Sequence, residues 1–405
     1  MSRRDAVAWA LVGAVLQLLM PPAAVHAAQD SSREVVRRLC GRCHALQIVG
    51  QCVAGSCQDE RAVRLLKPAP WNFVVAWMQS MGADMTDVEQ QTVQTYLQAT
   101  FPSRPYPLPW EQVPVRFGEG GWNVVTLHAE EDALYAGFEG NGSIYRSIDG
   151  THWRDVIHTG QYTVYAITPF QGALYAGTND PDPQIVNSTD GVHWSLTARL
   201  PHDEHGVISL GVFRGSLFAG TARAWIYRSP DGRHWEKTAD LERANAPAYT
   251  HWVRFLLPFR GQLYAGIEKG SLYRSADGVA WNRVGEAVTE KTGVRGAAVF
   301  HDALYVGTTG GGRIWRSLDG VNWQPVFTAP ASVRRGYVAS MTVAGDALFA
   351  GIDGYVFRTT DGLYWEEVGY LSPATIEAMG VFRNDLYAGA VVPPRAWLYR
   401  ANLMR

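Results

Sequence analysis

Net charge is almost absent from this chain of 405 residues: 36 Lys and Arg stand against 38 Asp and Glu, a formal net charge of −2. A nucleic-acid partner needs a basic face, and this balance argues against one. Long apolar runs are as scarce. The one conspicuous run, Ala6 to Met20, is too short for a comfortable membrane span, and no later stretch is long enough. The expected mature chain therefore carries no transmembrane span and is soluble. Cysteine is confined to Cys40, Cys43, Cys52 and Cys57. The 11 histidines are scattered, with no cluster of the kind a copper site needs. No pair of carboxylates stands out as glycosidase machinery.

What is abundant points to short strands and tight turns. The chain has 41 Gly, 15 Trp and 18 Tyr, and 47% of it is hydrophobic. That length and apolar content suffice for two domains, or for a repeat domain with a small companion.

The first residues have the features of an export leader. Arg3 and Arg4 precede the apolar run, Pro21-Pro22 breaks it, and Val25-His26-Ala27 offers small residues for cleavage after Ala27. The Ser2-Arg3-Arg4 start weakly resembles a twin-arginine signal. The general secretory route is the expectation, with residues 1–27 removed and the protein periplasmic.

Ser31 and Glu34 then form a capping box, and Val35, Val36 and Leu39 make an apolar stripe leading into Cys40-Gly41-Arg42-Cys43-His44. Two thiols spaced by two residues can add to the two vinyl groups of a haem. The adjacent histidine then sits under the iron as an axial ligand. The motif predicts one covalent haem c on Cys40 and Cys43, ligated by His44. The alternatives are a redox dithiol, which should follow a strand in an α/β pattern, and a zinc site completed by Cys52 and Cys57. In an oxidising compartment, Cys52 and Cys57 are instead expected to form a disulfide.

Further along, Met78 is followed by Gly82 four residues on, by Met85-Thr86, and by a segment closing in Tyr96-Leu97. This arrangement resembles small class I c-type cytochromes. The resemblance implies a small all-α cytochrome c domain over residues 28–100, with Met78 as the sixth iron ligand and Met81 as the alternative. Thr86 and Glu89 make a second capping box, and Val93 with Leu97 give the last helix a packing face. A haem with both axial positions filled would pass electrons and bind no substrate.

Pro102, Pro105, Pro107 and Pro109 make residues 101–109 a semi-rigid linker. Beyond it the chain repeats. Leu-Tyr-Ala-Gly, with small variations, starts at Leu134, Leu174, Leu217, Leu263, Leu304, Leu348 and Leu386, at intervals of 38 to 46 residues. A second phrase, Ser/Thr-x-Asp-Gly-x-x-Trp, follows the first six; Ser188-Asp190-Trp194 is one instance. This period of short alternating strands is the signature of a β-propeller with four strands per blade. The second phrase resembles the Asp-box, or BNR repeat, of sialidases and many unrelated propellers. Its aspartates recur at every hairpin and are expected to make turns; Arg146, Arg228, Arg274, Arg316 and Arg358 recur beside them and are read as structural too.

The last unit lacks its Asp-box, but Trp110-Glu111-Gln112-Val113 resembles the fourth-strand opening Trp153-Arg154-Asp155-Val156. Residues 110–117 are thus expected to supply the missing strand and close an all-β ring over residues 110–405. Seven blades are expected, with six as the alternative. Aligning the repeats places Tyr162, His205, His251, Arg254, Arg295, Arg335, Tyr337 and Glu377 near the mouth of the central channel. The first functional reading is electron transfer, the propeller docking a redox partner, either a cytochrome or an oxidoreductase. The second is an oxidoreductase whose propeller binds a small-molecule substrate, with the haem as relay. The third is a non-enzymatic propeller that binds a saccharide or cell surface.

Overall fold

The computed structural model describes residues 108–405, except 116, 119, 181, 202–203, 243–250, 269–270, 290–291, 332, 373–374, 393–394 and 405, together with Thr86 and Val88. Apart from those two, the described residues belong to the second of two units into which the chain divides, Tyr106–Arg405. The expected leader, Cys40, Cys43, His44, Cys52, Cys57, Met78, Met81 and, but for Thr86 and Val88, the expected cytochrome domain over residues 28–100 lie outside the described residues, as do residues 101–107 of the expected linker.

The described residues form 28 strands and one four-residue helix, Glu286–Thr289. The strands make seven four-stranded antiparallel meanders. The inner strands of blades 1 to 7 are Asn123–Ala129, Thr163–Phe170, Val207–Phe213, Val253–Phe259, Val294–Phe300, Val338–Ala344 and Ile376–Phe382. A single pairing, Glu139 with Thr163, joins blades 1 and 2 into one sheet. The outer strand of blade 7 comes from the start of the domain: Trp110, Glu111 and Gln112 pair with Ala401, Arg400 and Tyr399. Val113 N donates to Leu398 O at 2.8 Å, and Pro114, with no N–H to give, ends the pairing.

The repeated phrases hold one blade to the next. The glycine of each Leu-Tyr-Ala-Gly makes room for the inner strand of the following blade: Val207 packs over Gly177, Val253 over Gly220, and Val124 of blade 1 over Gly389 of blade 7. The tyrosine reaches the Asp-box glycine of the following blade. A Cβ on Gly191 would meet the Tyr135 hydroxyl at 1.8 Å, and one on Gly150 would meet that of Tyr387 at 1.9 Å. Arg146 steadies this latch, its Nε donating to Tyr135 Oη at 3.1 Å. The core lies between blades. Val124, Ala136 and Phe138 pack with Ala378 and Ala396, so the last blade meets the first and the ring is closed.

In all six Asp-boxes the Ser or Thr hydroxyl donates to the aspartate Oδ1 at 3.0–3.2 Å. The next two residues but one also donate their amides to that oxygen; in blade 2 these are Val192 and His193, at 2.8 and 2.7 Å. The aspartates build turns, as their recurrence implied.

Candidate functional site at the channel mouth

Each inner strand breaks register near its start, and the irregularity falls at the same place in every blade. It lies between Val124 and Thr126, Val164 and Ala166, Val207 and Ser209, Val253 and Phe255, Val294 and Ala297, Val338 and Ser340, and Ile376 and Ala378. A bulge leaves its extra residue unpaired and re-aims the side chain. The β-branched residue before each bulge is fully buried, at 0% exposure, and anchors the strand. The residue after it is turned to the channel. Val125, Tyr165, Ile208, Arg254, Arg295, Ala339 and Glu377 therefore line one cavity, one from each blade.

The charged members of this ring sit, with Glu268 from outside it, in a chain of alternating charge. Arg254 Nε donates to Glu268 Oε2 at 2.7 Å. Glu268 Oε1 lies 3.8 Å from a terminal nitrogen of Arg295, whose other terminal nitrogen donates to Glu377 Oε2 at 2.5 Å. All four side chains are only 11–20% exposed, so each charge depends on its neighbours for the solvation it has lost. Burial presses the Arg295 guanidinium down, but Glu377 and Glu268 outweigh it and hold the group above its ordinary value. Arg254 also covers the Trp252 ring at 4.5 Å, and Tyr165 meets Trp252 edge-on.

Outside the ring the cavity widens to about 300 Å³, with Trp122, Asn123, Glu139, Trp252, Arg335 and Thr375 in its wall. Asn123 Nδ2 donates to Glu139 Oε2 at 3.0 Å. Burial pushes the Glu139 carboxyl up from its ordinary value. It also pushes the Tyr165 hydroxyl up, helped by the nearby Glu139 charge.

Of the residues singled out from sequence, Arg254, Arg295 and Glu377 come together here, with Arg335 on the outer wall. Tyr337 lies beneath Arg295, ring centroid 5.9 Å from Cζ. Tyr162 is not in the lining; it is 46% exposed, and its carbonyl accepts from the amides of Gly140 and Gly142. Tyr165, three residues on, lines the cavity instead. His251 bridges to Arg223, and His205 Nδ1 lies 3.9 Å from Asp180; neither is in the lining. Among the described residues, no three His, Cys, Asp or Glu side chains gather as metal ligands do.

Sequence reasoning missed Tyr165, Asn123, Glu139, Glu268, Trp122 and Trp252. Two signals were present. The residue after the buried Val or Ile of each inner strand is the ring position, which picks out Tyr165. The fifth residue after the leucine of Leu-Tyr-Ala-Gly is Glu139 in blade 1 and Glu268 in blade 4, and both reach the site.

Similarity to known proteins lies in shape alone. No family model matches the chain, and no curated protein does. A catalytically inactive virginiamycin B lyase from Staphylococcus aureus, solved with quinupristin, superposes with a TM-score of 0.59 at 12% identity, over 73% of this chain and 99% of that one. A streptogramin B lyase gives 0.60 at 11% identity, over 74% and 100%. The WD40 repeats of RRP9 give 0.55 at 9% identity, over 72% and 97%. The described part is an all-β, β-propeller-like fold. At such identities the likeness carries no activity, since propellers share architecture without sharing chemistry.

Proposed function

We propose that this protein is an exported, periplasmic monohaem c-type cytochrome in which a small all-α haem domain precedes a seven-bladed Asp-box propeller. The observation that carries the reading is Cys40-Gly41-Arg42-Cys43-His44 behind the leader sequence. Cys40 and Cys43 would hold the haem, with His44 and Met78 as axial ligands and Met81 as the alternative to Met78. Cys52 and Cys57 would close a disulfide after the motif. With both axial positions filled the haem's role is to accept and donate single electrons. The propeller's role is then to dock the redox partner, a cytochrome or an oxidoreductase. Among the described residues no helix is long and apolar enough to cross a membrane.

The ligand assignment is tested on the exported protein by its oxidised and reduced absorption spectra. The weak long-wavelength band of a methionine-ligated oxidised haem should be present and should vanish in Met78→Ala. Loss of the band in Met81→Ala but not Met78→Ala would move the ligand. Absence of any haem spectrum would contradict the reading.

A further inference from the structure

The charges at the channel mouth cancel. Arg254 and Arg295 are matched by Glu268 and Glu377, and the outer wall adds one residue of each sign, Arg335 and Glu139. An ionic ligand that passed Arg335 and Glu139 to reach the inner ring would have to break a buried pair to find its counter-charge. An uncharged hydroxyl would not. Arg254 spends Nε and one terminal nitrogen on Glu268, and Arg295 its two terminal nitrogens on Glu268 and Glu377. Each guanidinium keeps further N–H groups, and each carboxylate keeps lone pairs. The Arg295–Glu377 contact thus presents a donor beside an acceptor to the cavity, the pattern that vicinal hydroxyls match because each both accepts and donates.

Two further groups in the wall lack partners. Asn123 is 4% exposed, and its Oδ1 accepts no hydrogen bond; Trp252 Nε1 is enclosed and donates none. Both atoms are shut off from solvent, so a ligand would reach them only if these side chains turned. Trp252 is already covered by Arg254 and Tyr165, whereas the Trp122 indole in the wall suits the C–H face of a sugar ring. A volume of about 300 Å³ is at the small end for ligand sites, enough for one or two such rings.

We infer that the channel mouth binds a neutral saccharide of one or two rings, its hydroxyls on Arg254 and spanning the Arg295–Glu377 pair, with a ring face against Trp122. The inference does not rest on the haem. The test is calorimetric titration of the exported full chain with D-glucose, D-galactose, D-mannose, N-acetyl-D-glucosamine and cellobiose. D-galacturonate and D-glucosamine serve as charged counterparts. Saturable binding of a neutral sugar is expected, weaker for a charged counterpart of the same ring. Tyr165→Phe and Arg295→Lys should each weaken it about tenfold. Arg335→Ala, on the exposed rim, should weaken it severalfold and keep the fold by circular dichroism.

No saturation by any of the neutral sugars at millimolar concentration would overturn the inference. So would tighter binding of galacturonate than of galactose, or affinity unchanged in all three variants. Haem attached without sugar binding would sink this inference and leave the electron-transfer reading standing; sugar binding without haem would do the reverse.

Discussion

Arg295 is held between two carboxylates, at 2.5 Å from Glu377 and 3.8 Å from Glu268. Glu377→Gln should cost about 2–3 kcal/mol in urea unfolding, less than the loss from a fully enclosed pair because these side chains keep some water. Glu139 has the opposite character. Burial favours its neutral form and raises it above the ordinary 4.5. An acid raised on folding binds more protons in the native state, so its contribution is most favourable below pH 4.5 and is lost as pH rises through the folded value. Glu139→Gln keeps the acceptor for Asn123 and should flatten that loss. Denaturation midpoints measured across this range would show a slope in the wild type that the variant lacks. Arg254, Arg295 and Glu377 were legible in the sequence because charge is out of place on an inner strand. Tyr165 was not, since an aromatic in a strand fits the core equally well. Glu268 was not, because it enters from the end of a second strand and only the bulge brings Arg254 to it.

At the scale of the element, the Asp-box turn and its glycine do separate work. Backbone amides and, in Asp190, first the His193 ring hold the six aspartates below their ordinary value of 3.8. Such groups add stability above pH 3.8 and lose it as pH falls through the folded value. Asp190→Asn retains an acceptor and should shallow the acid limb of unfolding, followed by fluorescence against pH. The glycine is needed twice over. Gly191 has φ of +71° and lies against Tyr135 of the preceding blade. Gly191→Ala should cost at least about 1–3 kcal/mol. Gly172 also has positive φ, +79°, but a methyl group added there would meet nothing within 4 Å, so Gly172→Ala should cost only about 1 kcal/mol. Thermal unfolding of the pair separates the steric from the conformational part. The sequence announced the turns through their spacing. It did not announce the latch, because the tyrosine and glycine that meet lie in different repeats.

For the whole molecule, closure depends on three residues at the start of the domain. Trp110 pairs with Ala401 and also donates Nε1–H to Val368 O in blade 6 at 2.9 Å. Trp110→Ala should lower stability by about 2–4 kcal/mol, read from the melting temperature, and expose the 395–402 edge to other chains. The ring was readable because its period is regular and its last unit visibly lacks a strand that the first residues resemble. The seven bulges left no such mark, since a one-residue slip of pairing changes no repeat length. The proposed partner docking and electron transfer both rest on the haem motif that precedes this ring in the chain, and there one measurement is most direct. The intact mass of the exported protein, taken under denaturing conditions, should exceed that of the cleaved polypeptide by one haem, and the increment should disappear when Cys40 and Cys43 are both replaced by serine. A mass equal to the bare polypeptide would contradict the account.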